Sequence, residues 1–242
     1  MPKRMRSMWK LTSADEILPF ALLGMTAVTG IVDAVSFLAL GHVFTANMTG
    51  NIVFLGFSIA GVPEVSATRS LTALAAFLIG ALIGGRVLAK PRADAIHAPL
   101  ILFGLEIASI TAAMFAAIGY HGIPFPESIP LYLIIVFTAV AMGMRNAAVR
   151  KLGVADLTTT VLTLTITGLA ADSSLARGSN PRWQRKLGSI SAMLAGAAAG
   201  AILVRRSVFA ALALALATTS VCSALLLAAK LWGLQGRAAK AA

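Results

Sequence analysis

The chain has 242 residues, of which 58% are hydrophobic and only 12% are charged. A soluble domain has about 25% charged residues, so this composition excludes a soluble globular protein and indicates an all-α protein that crosses a lipid bilayer several times. The formal net charge of +11 comes from short basic clusters between apolar runs, without a nucleic-acid recognition motif. We therefore expect these clusters to contact anionic lipid headgroups at the cytoplasmic face, and we expect no nucleic-acid partner.

Eight apolar segments follow one another along the chain. They span residues 17–40, 44–61, 68–88, 97–120, 129–149, 156–172, 187–205 and 207–230. Ser13 and Glu16 have the spacing of a capping box, which predicts that the first helix begins near Ala14. The first segment is long enough to span and no small-residue cleavage site follows it, so we interpret it as an uncleaved helix. The chain 1–242 is then one membrane domain, with cytoplasmic tails at 1–13 and 231–242.

The second and sixth segments differ from the others because hydrogen-bonding residues interrupt them. The second contains the stretch FTANMTGNIVFLG, and the sixth contains LTTTVLTLT. Backbone groups inside a bilayer must be satisfied by the protein or by cavity water, so such stretches are typical of a helix that ends within the membrane. Each of the two segments is therefore predicted to be a broken or re-entrant half-helix.

The distribution of lysine and arginine separates two topologies. If all eight segments cross, the 20 basic residues are distributed with only a weak bias between the two sides of the membrane. If the second and sixth segments enter and leave on the same side, six helices cross and only Arg69, Arg205 and Arg206 lie outside. Because basic residues are enriched in cytoplasmic loops, the distribution favours about six spans with both termini in the cytoplasm.

The two halves of the chain resemble each other at a nearly constant spacing. Asp33 aligns with Asn146 at an offset of 113 residues, and GALIG from Gly80 aligns with GAAAG from Gly196 at an offset of 116. Three crossings in each half make the second repeat inverted, an arrangement that recurs in transporters and channels. The small residues of the two glycine stretches also predict close helix packing. The predicted repeats are residues 17–120 and 129–230.

Two stretches resemble a known family. GIVDAVSFLALGHVFTANMTGNIVFLG resembles the signature of the YoaK family, small bacterial membrane proteins grouped as a domain of unknown function, and GMRNAAVRKLGVADLTTTVLTLTITGLAAD is similar to that family's second repeat. The resemblance extends from Leu18 to Ala229. The chain departs from the pattern at Leu162-Thr163, where the family commonly has a second Thr-Gly. The resemblance implies an integral protein of the bacterial inner membrane, without an established substrate or reaction.

The polar residues of the two interrupted segments are candidates for a binding or pore-lining site. Two half-helices that begin near the midplane would direct their positive ends at a shared centre, which favours an anion or a polar carbonyl. The alternative is that these side chains only cap and hydrogen-bond helices within the bundle. The candidates are Thr45, Asn47, Thr49, Gly50 and Asn51 in the second segment, Thr158, Thr159 and Thr160 in the sixth, and Asp33, Arg145 and Asn146 in the neighbouring segments. Asp156 is the further counterpart of the capping residues in the sixth segment.

Three charged residues are predicted to lie inside the bilayer. Asp33 and Arg145 each lie about 12 Å from the end of their segment, and Glu106 lies about 10 Å from its start. An unpaired charge at such depth costs several kcal/mol, so each residue needs a partner or water. Since Asp33 aligns with Asn146, the neighbour of Arg145, we expect an Asp33–Arg145 ion pair, with Glu106 or Asp33 coupling to protons. The alternative is a purely structural ion pair.

A polytopic membrane protein of this kind could belong to one of three classes of function. A transporter or channel for a small polar or anionic solute fits the inverted repeats, the interrupted segments and the buried charges. An intramembrane enzyme is disfavoured because His42, His97 and His121 are dispersed, without metal-ligand spacing or a catalytic triad pattern. A non-transporting scaffold or partner-binding protein is the alternative. Cys222 is the single cysteine, so we expect no intramolecular disulfide and no metal cluster built on cysteines. We also expect no cofactor. A homo-oligomer is one candidate assembly.

Overall fold

The computed structural model describes residues 14–89, 97–120, 122, 127–152 and 162–241. Within these residues the chain forms eight α-helices and one 3-10 turn, Ser174–Ala176, with no strand. The first described residue, Ala14, is already helical, and the predicted capping residue Ser13 lies outside the described residues. The helices are α1 (Ala14–Ala39), α2 (Met48–Ile59), α3 (Ala67–Leu88), α4 (His97–Ala116), α5 (Ile129–Leu152), α6 (Leu162–Ala171), α7 (Trp183–Val204) and α8 (Val208–Ala241).

Six of these helices are long and apolar enough to cross a bilayer, which confirms the prediction of a polytopic all-α membrane protein. They are α1, α3, α4, α5, α7 and α8, with apolar stretches of 20 to 23 residues. The helices α2 and α6 have 12 and 10 residues. At a rise of about 1.5 Å per residue, neither reaches across a hydrocarbon core of about 30 Å.

The helices α1 and α5 occupy the centre of the bundle. In their apolar stretches 67% and 56% of residues are buried, whereas the other four spanning helices have 17–33%. Leu78 in α3 and Leu194 in α7 are exposed on the outer surface, as expected for residues that face lipid tails. Asp33 of α1 and Arg145 of α5 are therefore carried by the two helices with the least contact with lipid.

Glycine residues allow the central helices to pack closely against α3 and α7. A Cβ atom on Gly196 of α7 would collide with the carbonyl oxygen of Ala27 in α1. In the same way, a Cβ atom on Gly80 of α3 would collide with the carbonyl oxygen of Val140 in α5. The close packing predicted for the two glycine stretches is confirmed, and it pairs α1 with α7 and α5 with α3.

Candidate functional site

The chain between α1 and α2 turns back alongside α1. The backbone N–H of Ala46 donates to Oδ1 of Asp33 at 3.1 Å, although 13 residues separate the two in the sequence. The N–H of Asn47 also hydrogen-bonds to this carboxylate. Only 7% of Asp33 is exposed. Its carboxylate therefore lies at the N-terminal end of α2, where N–H groups lack helical acceptors and the helix dipole favours a negative charge.

Asn51, in the first turn of α2, holds the returning chain in place. Its Oδ1 accepts from the N–H of Phe44 at 3.0 Å, and its Nδ2 donates to the carbonyl oxygen of Phe44 at 2.6 Å. Nδ2 also lies 3.6 Å from Sδ of Met48. The Asn51 side chain is completely buried, so it satisfies both backbone groups of Phe44 where water is excluded. Asn51 thus supports the loop that brings Ala46 to Asp33.

Aromatic packing reinforces the same loop. The ring of Phe44 stacks on Phe37 of α1 and on Phe54 of α2, with ring centroids 5.3 and 5.6 Å apart. A Cβ atom on Gly50 would lie only 2.6 Å from the Phe44 ring. Gly50 is therefore explained by the close approach of the Phe44 ring, and its role in the site is to let this ring pack against α2.

The remaining polar residues of the stretch have different environments. Asn47 occupies the N-cap position of α2, but its side chain makes no capping hydrogen bond. The expectation that Asn47 caps the helix with its side chain is therefore wrong, and the Asp33 carboxylate accepts from the N–H groups there instead. Asn47 and Thr49 are exposed. Thr45 is completely buried, and its Oγ1 has no hydrogen-bond partner among the residues that the structure describes.

The two ends of the α2 segment meet at one end of the bundle. Before α2, Nδ1 of His42 lies 3.2 Å from the carbonyl oxygen of Glu64, which follows α2. At the start of α3, Nη1 of Arg69 donates to the carbonyl oxygen of Gly41 at 3.3 Å, and Nη2 lies 3.1 Å from Oε1 of Glu127. These contacts join the C-terminal end of α1 to the start of α3, so the chain returns to this end after passing through α2.

Tyr120 closes the same end from the side of α4. Its hydroxyl donates to the carbonyl oxygen of Ala39, at the C-terminal end of α1, at 2.8 Å. Burial raises the pKa of the Tyr120 hydroxyl, and the nearby charge of Arg69 opposes this rise. The hydroxyl therefore keeps its proton at neutral pH and remains a hydrogen-bond donor.

Arg145 pairs with Glu106, so the predicted Asp33–Arg145 ion pair is wrong. Its Nε donates to Oε1 of Glu106 at 2.6 Å, and its Nη2 forms a salt bridge with the same oxygen. Nη1 donates to the carbonyl oxygen of Met25 at 3.0 Å, and Nη2 donates to Oγ1 of Thr219 at 3.1 Å. One guanidinium group thus connects α5 to α4, α1 and α8. The physical reason is that backbone N–H groups already satisfy Asp33, whereas Glu106 needs a cation.

The two intramembrane acids therefore differ in their partners. Glu106 and Arg145 are 1% and 3% exposed, and each is the charged partner of the other. Within the described part of the chain, the salt bridges of carboxylates are those of Glu106, Glu127 and Asp172, and none involves Asp33. Asp33 therefore differs from Glu106 in having backbone N–H groups, and no described cation, as its partners.

A second buried cation was missed by the sequence analysis. Nζ of Lys186, at the start of α7, lies 2.5 Å from Oδ2 of Asp172 and 3.0 Å from the carbonyl oxygen of Gly168 in α6. Lys186 is only 3% exposed. The ammonium group of Lys186 attracts the carbonyl oxygen of Gly168 near the C-terminal end of α6. Lys186 therefore fixes this end of α6 against α7. The position of Asp172 at the end of the sixth segment was the available signal, because an acid there needs a partner.

The counterpart stretch of the second half is described only in part. Asp156, Thr158, Thr159 and Thr160 lie outside the described residues. Asn146 donates from Nδ2 to the carbonyl oxygen of Met142, one turn earlier in its own helix, at 2.9 Å. Among the residues described, no three His, Cys, Asp or Glu side chains are grouped as a metal site.

Comparisons with known proteins agree with this architecture. A family described as "Protein of unknown function (DUF1275)" matches residues 21–226. The chain is also similar to the UPF0700 transmembrane protein YoaK of Bacillus subtilis (strain 168), with 36% identity over 154 residues. This alignment covers 64% of the chain and 65% of YoaK, slightly less than two thirds of the relative's length. No solved structure matches the chain significantly.

Proposed function

The chain belongs to the DUF1275 family, and we propose that it is a transporter or channel for a small polar or anionic solute in the bacterial inner membrane. The observation that carries this proposal is the environment of Asp33. Its carboxylate is buried in a spanning helix, backbone N–H groups hold it, and no described cation forms a salt bridge with it. Acids of this kind mark ion and proton pathways in membrane proteins.

We propose that α2 is a re-entrant half-helix whose N-terminal end lies within the bilayer. Two contacts support this proposal, the one between His42 and Glu64 at one end of the bundle and the one between Ala46 and Asp33 deeper along α1. Asp33 precedes Gly41 by eight residues, which corresponds to about 12 Å along the helix axis. The start of α2 would then lie well below the membrane surface, where unpaired N–H groups attract negative charge.

The proposed inverted repeats are supported by matched contacts in the two halves. A Cβ atom on Gly30 of α1 would collide with the carbonyl oxygen of Met193 in α7, and one on Gly143 of α5 would collide with the carbonyl oxygen of Phe77 in α3. Gly30 and Gly143 are 113 residues apart, and Phe77 and Met193 are 116 apart. These are the offsets at which the sequence of one half aligns with the other. In this arrangement α6 is the counterpart of α2.

The position of Asp33 suggests how solute and proton movement are coupled. When the carboxylate is charged, it occupies the N–H groups at the start of α2. Protonation removes that charge and weakens both hydrogen bonds, which leaves the N-terminal end of α2 free for an anion or a polar carbonyl. An anionic solute and the charged carboxylate compete for the same donors, so the solute would bind together with a proton.

The orientation of the protein in the membrane is part of the same proposal. The contacts of α2 lie at the bundle end that carries Arg69, Arg205 and Arg206, whereas Arg86, Arg150 and Lys151 lie at the other end, in the last turns of α3 and α5. Positive charge is enriched on the cytoplasmic side. We therefore infer that the termini are cytoplasmic and that α2 enters from the outside.

Solute flux into liposomes tests the proposal. The purified chain is reconstituted with a pH-sensitive dye inside, and a panel of small anions and polar neutral solutes is added outside. We expect at least one solute to enter and to acidify the lumen. In Asp33→Asn the acidification should fall at least about tenfold, because the amide cannot carry the proton. Glu64→Gln is the matched control, since Glu64 is an exposed acid at the same end of the bundle, and it should behave as wild type.

Two results would contradict different parts of the proposal, transport itself or the role of Asp33. If folded wild-type protein moves no solute on the panel, the non-transporting scaffold becomes the better description. If solute enters but Asp33→Asn acidifies the lumen as strongly as wild type, transport stands and another group carries the proton.

A further inference from the structure

A surface cleft lies at the end of the bundle where α4 ends and α7 turns into α8. It has a volume of about 490 Å³ and is lined by residues 117–120 and 204–209. One wall carries two adjacent basic residues, Arg205 and Arg206, and the other walls are largely apolar. The cleft does not include Asp33 or any residue of α2, so it is separate from the proposed transport site.

The described part of the protein does not neutralise the charges of this cleft. Arg205 and Arg206 are both exposed, and neither forms a salt bridge within the part of the chain that the structure describes. The cleft also contains the N-terminal turn of α8, where Oγ of Ser207 accepts from the N–H of Ala210 at 3.4 Å. The positive end of this helix adds to the field of the two guanidinium groups.

The location of these arginines is unfavourable unless they have an anionic partner. They are two of the three basic residues that the six-span topology leaves outside, and they occupy a connection of three residues between α7 and α8. Basic residues in such short external connections oppose the usual charge distribution of membrane proteins. Guanidinium groups bind phosphate in a bidentate geometry, which compensates both charge and hydrogen bonding.

The apolar residues around the cleft indicate which phosphate compound fits. Ile118, after α4, is 63% exposed, and Phe209, at the start of α8, is 37% exposed. Both lie beside the basic wall, on the surface that the spanning helices present to lipid. A free anion would leave these side chains uncovered, whereas an acyl chain would cover them.

We propose that this cleft binds an anionic phospholipid of the outer leaflet. The phosphate lies between the guanidinium groups of Arg205 and Arg206, and an acyl chain runs along Ile118 and Phe209. Because residues of α4, α7 and α8 line the cleft, the bound lipid stabilises the packing of these helices at their external end.

Lipid binding to the purified full chain tests this inference. Native mass spectrometry in detergent compares phosphatidylglycerol with phosphatidylcholine of identical acyl chains. Wild type should bind phosphatidylglycerol about tenfold more tightly, as expected for two interfacial cations. The double variant Arg205→Gln/Arg206→Gln should lose this preference. Arg205→Lys/Arg206→Lys should keep part of it, because the charge remains and the bidentate geometry does not.

The control removes the same charge from the opposite end. Arg150→Gln/Arg185→Gln replaces two other exposed arginines that do not line the cleft, and it should lower the preference for phosphatidylglycerol less than Arg205→Gln/Arg206→Gln does. Thermal unfolding provides a second readout, in which phosphatidylglycerol raises the midpoint of wild type and inorganic phosphate at equal concentration does not. Retention of the preference in the Arg205→Gln/Arg206→Gln variant would overturn the inference. An equal rise with inorganic phosphate would also overturn it, because the site would then bind a soluble anion.

Discussion

Asp33 and Glu106 are buried acids in one helical bundle, yet the protein satisfies them in opposite ways. Glu106 contacts the guanidinium group of Arg145, which also binds α1 and α8. Asp33 accepts hydrogen bonds from the backbone at the start of α2. A carboxylate beside a cation leaves a buried positive charge behind when it is protonated. A carboxylate beside N–H groups does not, so we expect a change of charge to cost less at Asp33 than at Glu106.

The same contrast appears when the proposed repeats are compared. At an offset of 116 residues Glu106 aligns with Cys222, and at an offset of 113 Val32 aligns with Arg145. The residues of the Glu106–Arg145 ion pair therefore have two apolar residues, Cys222 and Val32, as their counterparts in the other half. The glycine contacts are shared by both halves, whereas the charges are not. In this interpretation a common scaffold was made asymmetric by a few buried side chains.

Breaking the ion pair should have the largest effect on stability. Arg145→Leu leaves the Glu106 carboxylate buried without a cation, which should lower the free energy of unfolding by about 3–5 kcal/mol. Thermal or denaturant unfolding of the purified protein in detergent measures this loss. The double variant Arg145→Leu/Glu106→Leu should recover most of it, because no buried charge remains. Equal losses in the single and double variants would contradict an ion-pair role.

The spanning helices and the buried charged residues could be predicted from the sequence, but the residue that each charge contacts could not. The apolar segments and the distribution of basic residues predicted six spanning helices and two short polar elements, and Asp33, Glu106 and Arg145 stood out as buried charges. Pairing them required the rotation of each helix about its axis and the path of the loop before α2. The alignment of the repeats showed that Asp33 is adjacent in sequence to Val32, the counterpart of Arg145. It contained no information on which side chains face each other in the folded protein.

The loop that carries Ala46 to Asp33 should show the next largest effect. Asn51→Leu leaves the buried N–H and carbonyl of Phe44 without partners, which should cost about 1–3 kcal/mol. Asn47→Ala is the matched control in the same stretch, since Asn47 is exposed and makes no side-chain capping bond, and it should stay within about 0.5 kcal/mol of wild type. The midpoints of thermal unfolding compare the two variants. A larger loss for Asn47→Ala would reverse the assignment of these asparagines.

The smallest effect on stability is expected at Asp33, where the comparison with Glu106 is sharpest. In Asp33→Asn the amide oxygen still accepts from the N–H of Ala46, and no buried cation is left unpaired, so unfolding should change by only about 1 kcal/mol. Glu106→Gln makes the same chemical change but leaves the Arg145 guanidinium without its counter-charge, and it should be several-fold more destabilising. Denaturant unfolding of both variants at the same pH measures the difference. Equal losses would mean that Asp33 has an electrostatic partner comparable to Arg145, and the distinction between a fixed charge and an exchangeable one would then fail.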